Sequence, residues 1–335
     1  MESVKFAAID IGSNAVRLLI MSVMPNDSSE TYTKQLMIRF PLRLGQESFM
    51  SGKIPEEKAT QLLRIMKAFK HLIKAYEVNS YRACATSAMR DAKNSKEIVK
   101  EIKKETDLKI EIIDGQEESM IIYESHFADK LIKSHNYIFV DVGGGSTEIS
   151  VISNGELIQS KSYDIGTVRL LNNKVKEETY DELHADLNSL KDQYQIQDII
   201  GSGGNILKLN SLAEVRKGRK LSLTTLESLN ETLKQFTVEE LIEIYKLKPD
   251  RADVITHAAN IYIDVAKCVG AKSFIVPRVG LTDGIIHMLH IQWKENEKRK
   301  EKKIKPLKST IEEEDSESEN VIVTEEPEFI NQNGI

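Results

Sequence analysis

Two segments of the 335-residue chain, Asp10-Ile11-Gly12-Ser13-Asn14 and Asp141-Val142-Gly143-Gly144-Gly145-Ser146-Thr147, are versions of one signal. Each closes an apolar run on an acid, opens a glycine turn and leads into a second apolar run. Apolar runs of strand length flanking a short glycine turn read as paired strands. Their recurrence implies that one supersecondary unit occurs twice.

The periodicity around each copy agrees. The first predicts strands over Val4 to Asp10, Ala15 to Val23 and Tyr32 to Phe40, then a helix from Pro55, which suits a first helical turn, to Tyr76. A strand over Tyr81 to Cys84, a helix capped by Asn94 with Glu97 three residues on, a strand over Leu108 to Ile113 and a helix from Gln116 follow. The second copy predicts strands over Tyr137 to Asp141, Thr147 to Ser153 and Glu156 to Tyr163, with Asn154-Gly155 as a type I′ hairpin turn. A helix near 177–195, a strand ending at Ile200, a Thr237/Glu240 capping box, a strand over Ser273 to Val276 and a helix from Thr282 complete it. The order βββαβαβα, twice, describes α/β architecture with two ribonuclease-H-like domains of the actin, hexokinase and Hsp70 superfamily and a ligand cleft between them. The expected boundaries are 1–124, 125–298 and a charged, disordered tail over 299–335, where residues 294–308 hold 8 bases against 3 acids and 309–335 hold 9 acids and no base.

Residues 1–293 carry 38 bases and 40 acids, a poor match to a nucleic-acid binder. No apolar run is long enough for a membrane helix, and the start has no basic region or cleavage signal, so a cytoplasmic protein with no membrane association is expected. Cys84 and Cys268 lack the spacing of a zinc site or disulfide framework and read as buried thiols. His287 and His290 read as packed or solvent-facing. The sequence leaves a homodimer open.

Glycine turns let a backbone approach an anion closely, and successive N–H groups form a nest for it. Gly12, Ser13 and Asn14 in one turn, and Gly143, Gly144, Gly145, Ser146 and Thr147 in the other, are therefore candidate phosphate binders, with Gly203, Gly204 and Asn205 before a later helix. Asp10, Asp141 and Glu148 stand at the turns, where carboxylates beside phosphate require a cation; Mg²⁺ is the expected cofactor. Gly115-Gln116-Glu117-Glu118 sets two acids at a helix start, whose dipole keeps a base ionised, and Arg90 follows a small-residue segment suited to phosphate. Walker, dinucleotide and HExxH signatures are absent.

DIGSNAVRLLI, ATSAMRDAKN, DGQEESMIIY, FVDVGGGSTEISV, IGTVRLL, GSGGN and GLTDGII occur in the order seen in the exopolyphosphatase/guanosine pentaphosphatase (Ppx/GppA) family, which the chain resembles over about residues 6–292. The resemblance implies Mg²⁺-dependent release of terminal phosphate from inorganic polyphosphate, or from pppGpp as the alternative substrate. It implies Glu118 as catalytic base, with Glu117 the lesser choice, Arg90 as a catalytic cation, and Arg17 and Arg169 as phosphate contacts. Thr282 stands where the family often has arginine, and Ser119 where it has alanine after the paired glutamates. The extra helical domains of long members are absent from this sequence, so processive action on long polymer is not expected. A non-catalytic polyphosphate or (p)ppGpp sensor is the reading from a different class.

Overall fold

The computed structural model describes residues 3–24, 31–125 and 131–318. Strands β1 (Val4–Ile11), β2 (Val16–Val23) and β3 (Tyr32–Phe40) lead into helices α1 (Leu44–Ser51) and α2 (Glu56–Ala75). Strand β4 (Ser80–Ala85), helices α3 (Ser87–Asp91) and α4 (Ser95–Thr106), strand β5 (Ile110–Ile112) and helix α5 (Gly115–Tyr123) complete the first copy. The sheet order is β3-β2-β1-β4-β5, with β1–β2–β3 antiparallel and β1–β4–β5 parallel.

The second copy opens with β6 (Asn136–Val142), β7 (Thr147–Ser153) and β8 (Glu156–Tyr163), then α6 (Thr167–Leu171), α7 (Glu177–Gln193), β9 (Ile196–Ser202) and α8 (Gly204–Leu212). Next come β10 (Leu221–Ser222), α9 (Leu223–Leu233), α10 (Val238–Glu243), α11 (Pro249–Ala252), α12 (Ile255–Val269), β11 (Ser273–Ile275) and α13 (Leu281–Ser318). Its sheet, β10-β11-β9-β6-β7-β8, repeats the first with β10 added at the edge. Three antiparallel strands followed by two parallel ones, twice, is the duplicated ribonuclease-H-like architecture that the sequence pattern implies.

Why the chain takes this form is visible strand by strand. β1 and β2 are buried along nearly their whole length, as central strands rich in Ile, Leu and Val must be, whereas edge strands β3 and β8 alternate outward polar residues. Each lobe has its own apolar core, one around Ile9, Leu18, Met66 and Ile102 and the other around Ile138, Ile199, Leu187 and Tyr262. Asn154 and Gly155 have φ of 54° and 79°, the left-handed pair that a type I′ turn requires. The Thr237/Glu240 capping box forms.

Three expectations change. Asn94 makes no cap; its side chain bridges the backbone N–H (3.0 Å) and carbonyl (2.8 Å) of Ile54, tying two loops together. The supposedly disordered tail is helical through Ser318, continuing α13 through residues dominated by Lys and Glu, which are strong helix formers; residues 319–335 lie outside the described residues. Cys84 is buried but Cys268 is only partly so. His287 and His290 are both buried, His290 Nδ1 lying 2.8 Å from the Tyr32 hydroxyl. Compact packing groups residues 1–290 as one unit and 291–335 as another. Among the described residues no helix is long and apolar enough to cross a membrane.

Candidate active site

The two glycine turns close in the same way. Gly12 N–H donates to the Ala15 carbonyl (3.1 Å), and Gly143 N–H to the Ser146 carbonyl (2.9 Å). Strand register puts Arg17 directly across from Asp10 and Glu148 directly across from Asp141. Both turns line one cleft of about 460 Å³.

Carboxylates gather on its floor. Asp114 caps α5 by accepting from Glu117 N–H at 2.8 Å, which fixes the first turn and brings Glu118 to the cleft. Carboxylate oxygens of Glu118, Asp141 and Glu148 lie within 4.8 Å of one another. Glu148 is only 1% exposed and accepts from Ser162 Oγ at 2.8 Å. Burial drives its pKa up to about 7, with repulsion from Asp141 adding to the rise and hydrogen bonds from Ser146 and Ser162 opposing it. Asp141 is pushed to about 6, again by burial first, with the Arg17 charge opposing. Glu118 is raised well above the ordinary carboxylate range by burial, then by Glu148, Asp141 and Asp10. Three converging acids that resist ionising together are an all-oxygen donor set short of a positive charge, which suits a hard divalent cation. Asp10 stands outside this set, because its carboxylate is ion-paired to Arg17.

Cations border the same space. Lys34, Arg39, Arg251 and Arg278 line the cleft with Arg17, and only Arg17 was legible as a site residue. Burial lowers the Arg251 pKa, and the neighbouring Arg39 and Arg17 charges lower it further, with Asp250 opposing. Thr167, 1% exposed on the cleft wall, has a buried Oγ1 with no protein partner. It lies inside the IGTVRLL segment, where the sequence signal drew attention to Arg169 instead.

Gly12, Ser13, Asn14, Arg17, Gly143, Gly144 and Ser146 reach the cleft, as do Gly203, Gly204 and Asn205. Gly203 has φ 97°, and a Cβ there would sit 2.7 Å from an Asp141 oxygen. Ser13 Oγ is already engaged by Ser87 Oγ at 2.8 Å and Ala88 N–H at 3.1 Å, so it braces the turn. Gly145, Thr147 and Arg169 do not line the cleft. A Cβ on Gly145 would meet Phe49 at 2.3 Å, and Thr147 donates to the Ile165 carbonyl at 2.5 Å. Arg169 is buried, donates to the Gly145 carbonyl at 2.6 Å, pairs with Asp91 and Asp164 and covers the Phe49 ring at 4.1 Å. Its fork ties the two lobes behind the turn rather than facing a ligand. Arg90 opens on an adjacent depression and donates to the Ile113 carbonyl at 3.1 Å, yet its charge still acts on Glu118 and Glu148. Glu117 turns away to Arg82 at 2.5 Å.

The chain is similar to several known proteins. The bifunctional 3-dehydroquinate synthase/phosphatase of Fusobacterium nucleatum is 29% identical over 81% of this chain and 44% of its own length. The guanosine-5'-triphosphate,3'-diphosphate pyrophosphatase of Aeromonas hydrophila is 24% identical over 85% of this chain and 59% of its own. The chain thus spans about half the length of these curated relatives. A crystal structure of an exopolyphosphatase-like protein superposes with a TM-score of 0.71 at 25% identity, covering 86% of this chain and 98% of that one. The family model described as the Ppx/GppA phosphatase family matches residues 32–291, and the chain belongs to that family.

Proposed function

We propose that the chain hydrolyses the terminal phosphoanhydride of inorganic polyphosphate. The observation that carries this reading is the division of one cleft into a carboxylate floor, Glu118, Asp141 and Glu148, and a cationic border that includes Lys34, Arg251 and Arg278. An anionic chain lying along the border presents its terminal phosphorus to the floor.

Glu118 takes a proton from water as the water oxygen attacks the terminal phosphorus and the anhydride P–O bond breaks. Orthophosphate leaves, and the shortened chain keeps the bridging oxygen. Mg²⁺ held by Asp141 and Glu148 would neutralise phosphate oxygens and lower the pKa of Glu118, which must be ionised to act. The Gly143–Ser146 turn, the Gly203–Asn205 turn and Thr167 Oγ1 offer donors to phosphate oxygens. Arg90 biases the carboxylate pair electrostatically from behind.

Phosphate release from polyphosphate, pppGpp and ATP, each with and without Mg²⁺, tests the reading. Mg²⁺-dependent release fastest on polyphosphate supports it. Faster release from pppGpp reassigns the substrate, and tight binding of either without release points to a sensor.

A further inference from the structure

Away from the cleft, helices α7 and α12 pack against each other and bring together three side chains of different ligand chemistry. His184 lies on α7; Asp264 and Cys268 lie one turn apart on α12, at the i, i+4 spacing that puts both on one face. The imidazole nitrogen, a carboxylate oxygen and Cys268 Sγ all lie within 4.8 Å of one another, and His184 Nε2 is 2.7 Å from Asp264 Oδ2. Beneath them the two helices are anchored by buried Leu183, Leu187, Val265 and Val269, so the backbone positions are set by the core. The Tyr180 ring, one turn before His184, lies 6.0 Å from the imidazole and limits its rotation. His184 and Asp264 side chains are 40% and 36% exposed, which leaves an ion a path from solvent.

We propose that His184, Asp264 and Cys268 form a second metal site, for a borderline-soft divalent ion of the zinc class. Nitrogen, sulfur and one oxygen donor suit such an ion, whereas the all-oxygen cluster in the cleft suits a hard one. Three protein ligands leave a fourth tetrahedral position to water. The pair at 2.7 Å must open by about 0.6 Å, since ligands about 2.0–2.3 Å from a tetrahedral ion stand roughly 3.3 Å apart. Half-exposed side chains can make that adjustment. The sequence hides the site because only the Asp264/Cys268 spacing is local, while His184 is supplied by a separate helix.

The test is titration of the full-length chain with Co²⁺, watching for the near-ultraviolet thiolate-to-cobalt charge-transfer band. The cleft cluster has no sulfur and Cys84 is buried, so the band reports this site alone. A band saturating near one equivalent and displaced by Zn²⁺ but not by excess Mg²⁺ is expected. Cys268→Ser should abolish it. His184→Ala, which keeps the thiol, should weaken Co²⁺ binding at least about tenfold, with unchanged circular dichroism. Absence of the band in the wild type, its survival in Cys268→Ser, or unchanged affinity in His184→Ala would overturn the proposal, whatever the chain hydrolyses.

Discussion

Glu148 faces Asp141 across hairpin β6–β7 at the register that Arg17 holds against Asp10 in hairpin β1–β2. One fold unit has been used twice with opposite charge logic. In the first hairpin the acid is neutralised internally; in the second, two acids face each other and Glu118 joins them. The first turn is therefore electrically complete by itself, while the second gathers acids with no facing cation in its own hairpin, an arrangement that suits a divalent ion.

Replacing Glu118 by Gln keeps the size and hydrogen bonding of the side chain and removes its ability to take a proton. The kcat for phosphate release is expected to fall roughly 10²- to 10⁴-fold with KM changed only a few fold. Glu117→Gln should leave kcat close to wild type, because Glu117 is paired to Arg82 outside the cleft. Loss confined to Glu117→Gln would move the base one residue back.

Asp141→Asn should raise the Mg²⁺ concentration needed for half-maximal activity more than it raises KM for polyphosphate, since a neutral amide is a poorer ligand for a hard cation. Asp10→Asn, in contrast, should free Arg17 and leave the Mg²⁺ midpoint nearly unchanged. Equal shifts in the two variants would place Asp10 among the ligands after all.

The raised carboxyl groups also dictate how stability depends on pH. Glu148 rises from 4.5 to about 7 and Asp141 from 3.8 to about 6, so between those limits the folded chain holds protons that the unfolded chain releases. Their contribution to stability is then greatest at the acid end and is lost as pH rises from about 4 to about 7. With divalent ions chelated, Tm should decline across that window more steeply in the wild type than in Glu148→Gln. Mg²⁺ added at pH 7.5 should raise Tm by binding the ionised form. A Tm indifferent to Mg²⁺ at that pH would remove the carboxylate trio as its site.

Much of this was legible locally. Strand and helix assignment followed from periodicity, and the two turns from glycine beside an acid, because those signals lie within a few consecutive residues. What escaped depends on partners distant in the chain. Arg169 reads like a phosphate contact until Asp91 and the Gly145 carbonyl, supplied from elsewhere, are seen to occupy its fork. Arg251 and Lys34 carry no motif at all; they become site residues only because α11 and β3 come to the same cleft. Asn94 resembles a helix cap until Ile54 claims both ends of its amide.

Arg43 and Asp253 join the two lobes at 2.6 Å, beside the Arg39–Asp250 pair, with side chains 21% and 18% exposed. Neither lines the cleft, so their link can be measured as stability rather than activity. A double-mutant cycle of Arg43→Met and Asp253→Asn, followed by urea unfolding, should give a coupling of about 0.5–3 kcal/mol. A coupling within error of zero would make the pair incidental to closure.

Gly166 offers the sharpest packing test of the phosphate turn. It precedes α6, and a Cβ there would lie 2.4 Å from the Gly145 carbonyl carbon and 2.5 Å from the carbonyl carbon and oxygen of Gly144. All three are backbone atoms, so nothing flexible can yield, and the turn itself must move. That movement also disturbs the bonds by which Thr167 N–H and Val168 N–H hold the carbonyls of Gly143 (3.0 Å) and Gly144 (2.8 Å). Gly166→Ala should therefore cost about 1–3 kcal/mol of stability, the usual range for overpacking, while kcat/KM falls far more than that loss of folded population explains. The comparison is made at a temperature well below the variant's Tm, with circular dichroism confirming the fold. Near-normal kcat/KM in a folded Gly166→Ala protein would mean that the Gly143–Ser146 turn does not need its observed position to hold phosphate.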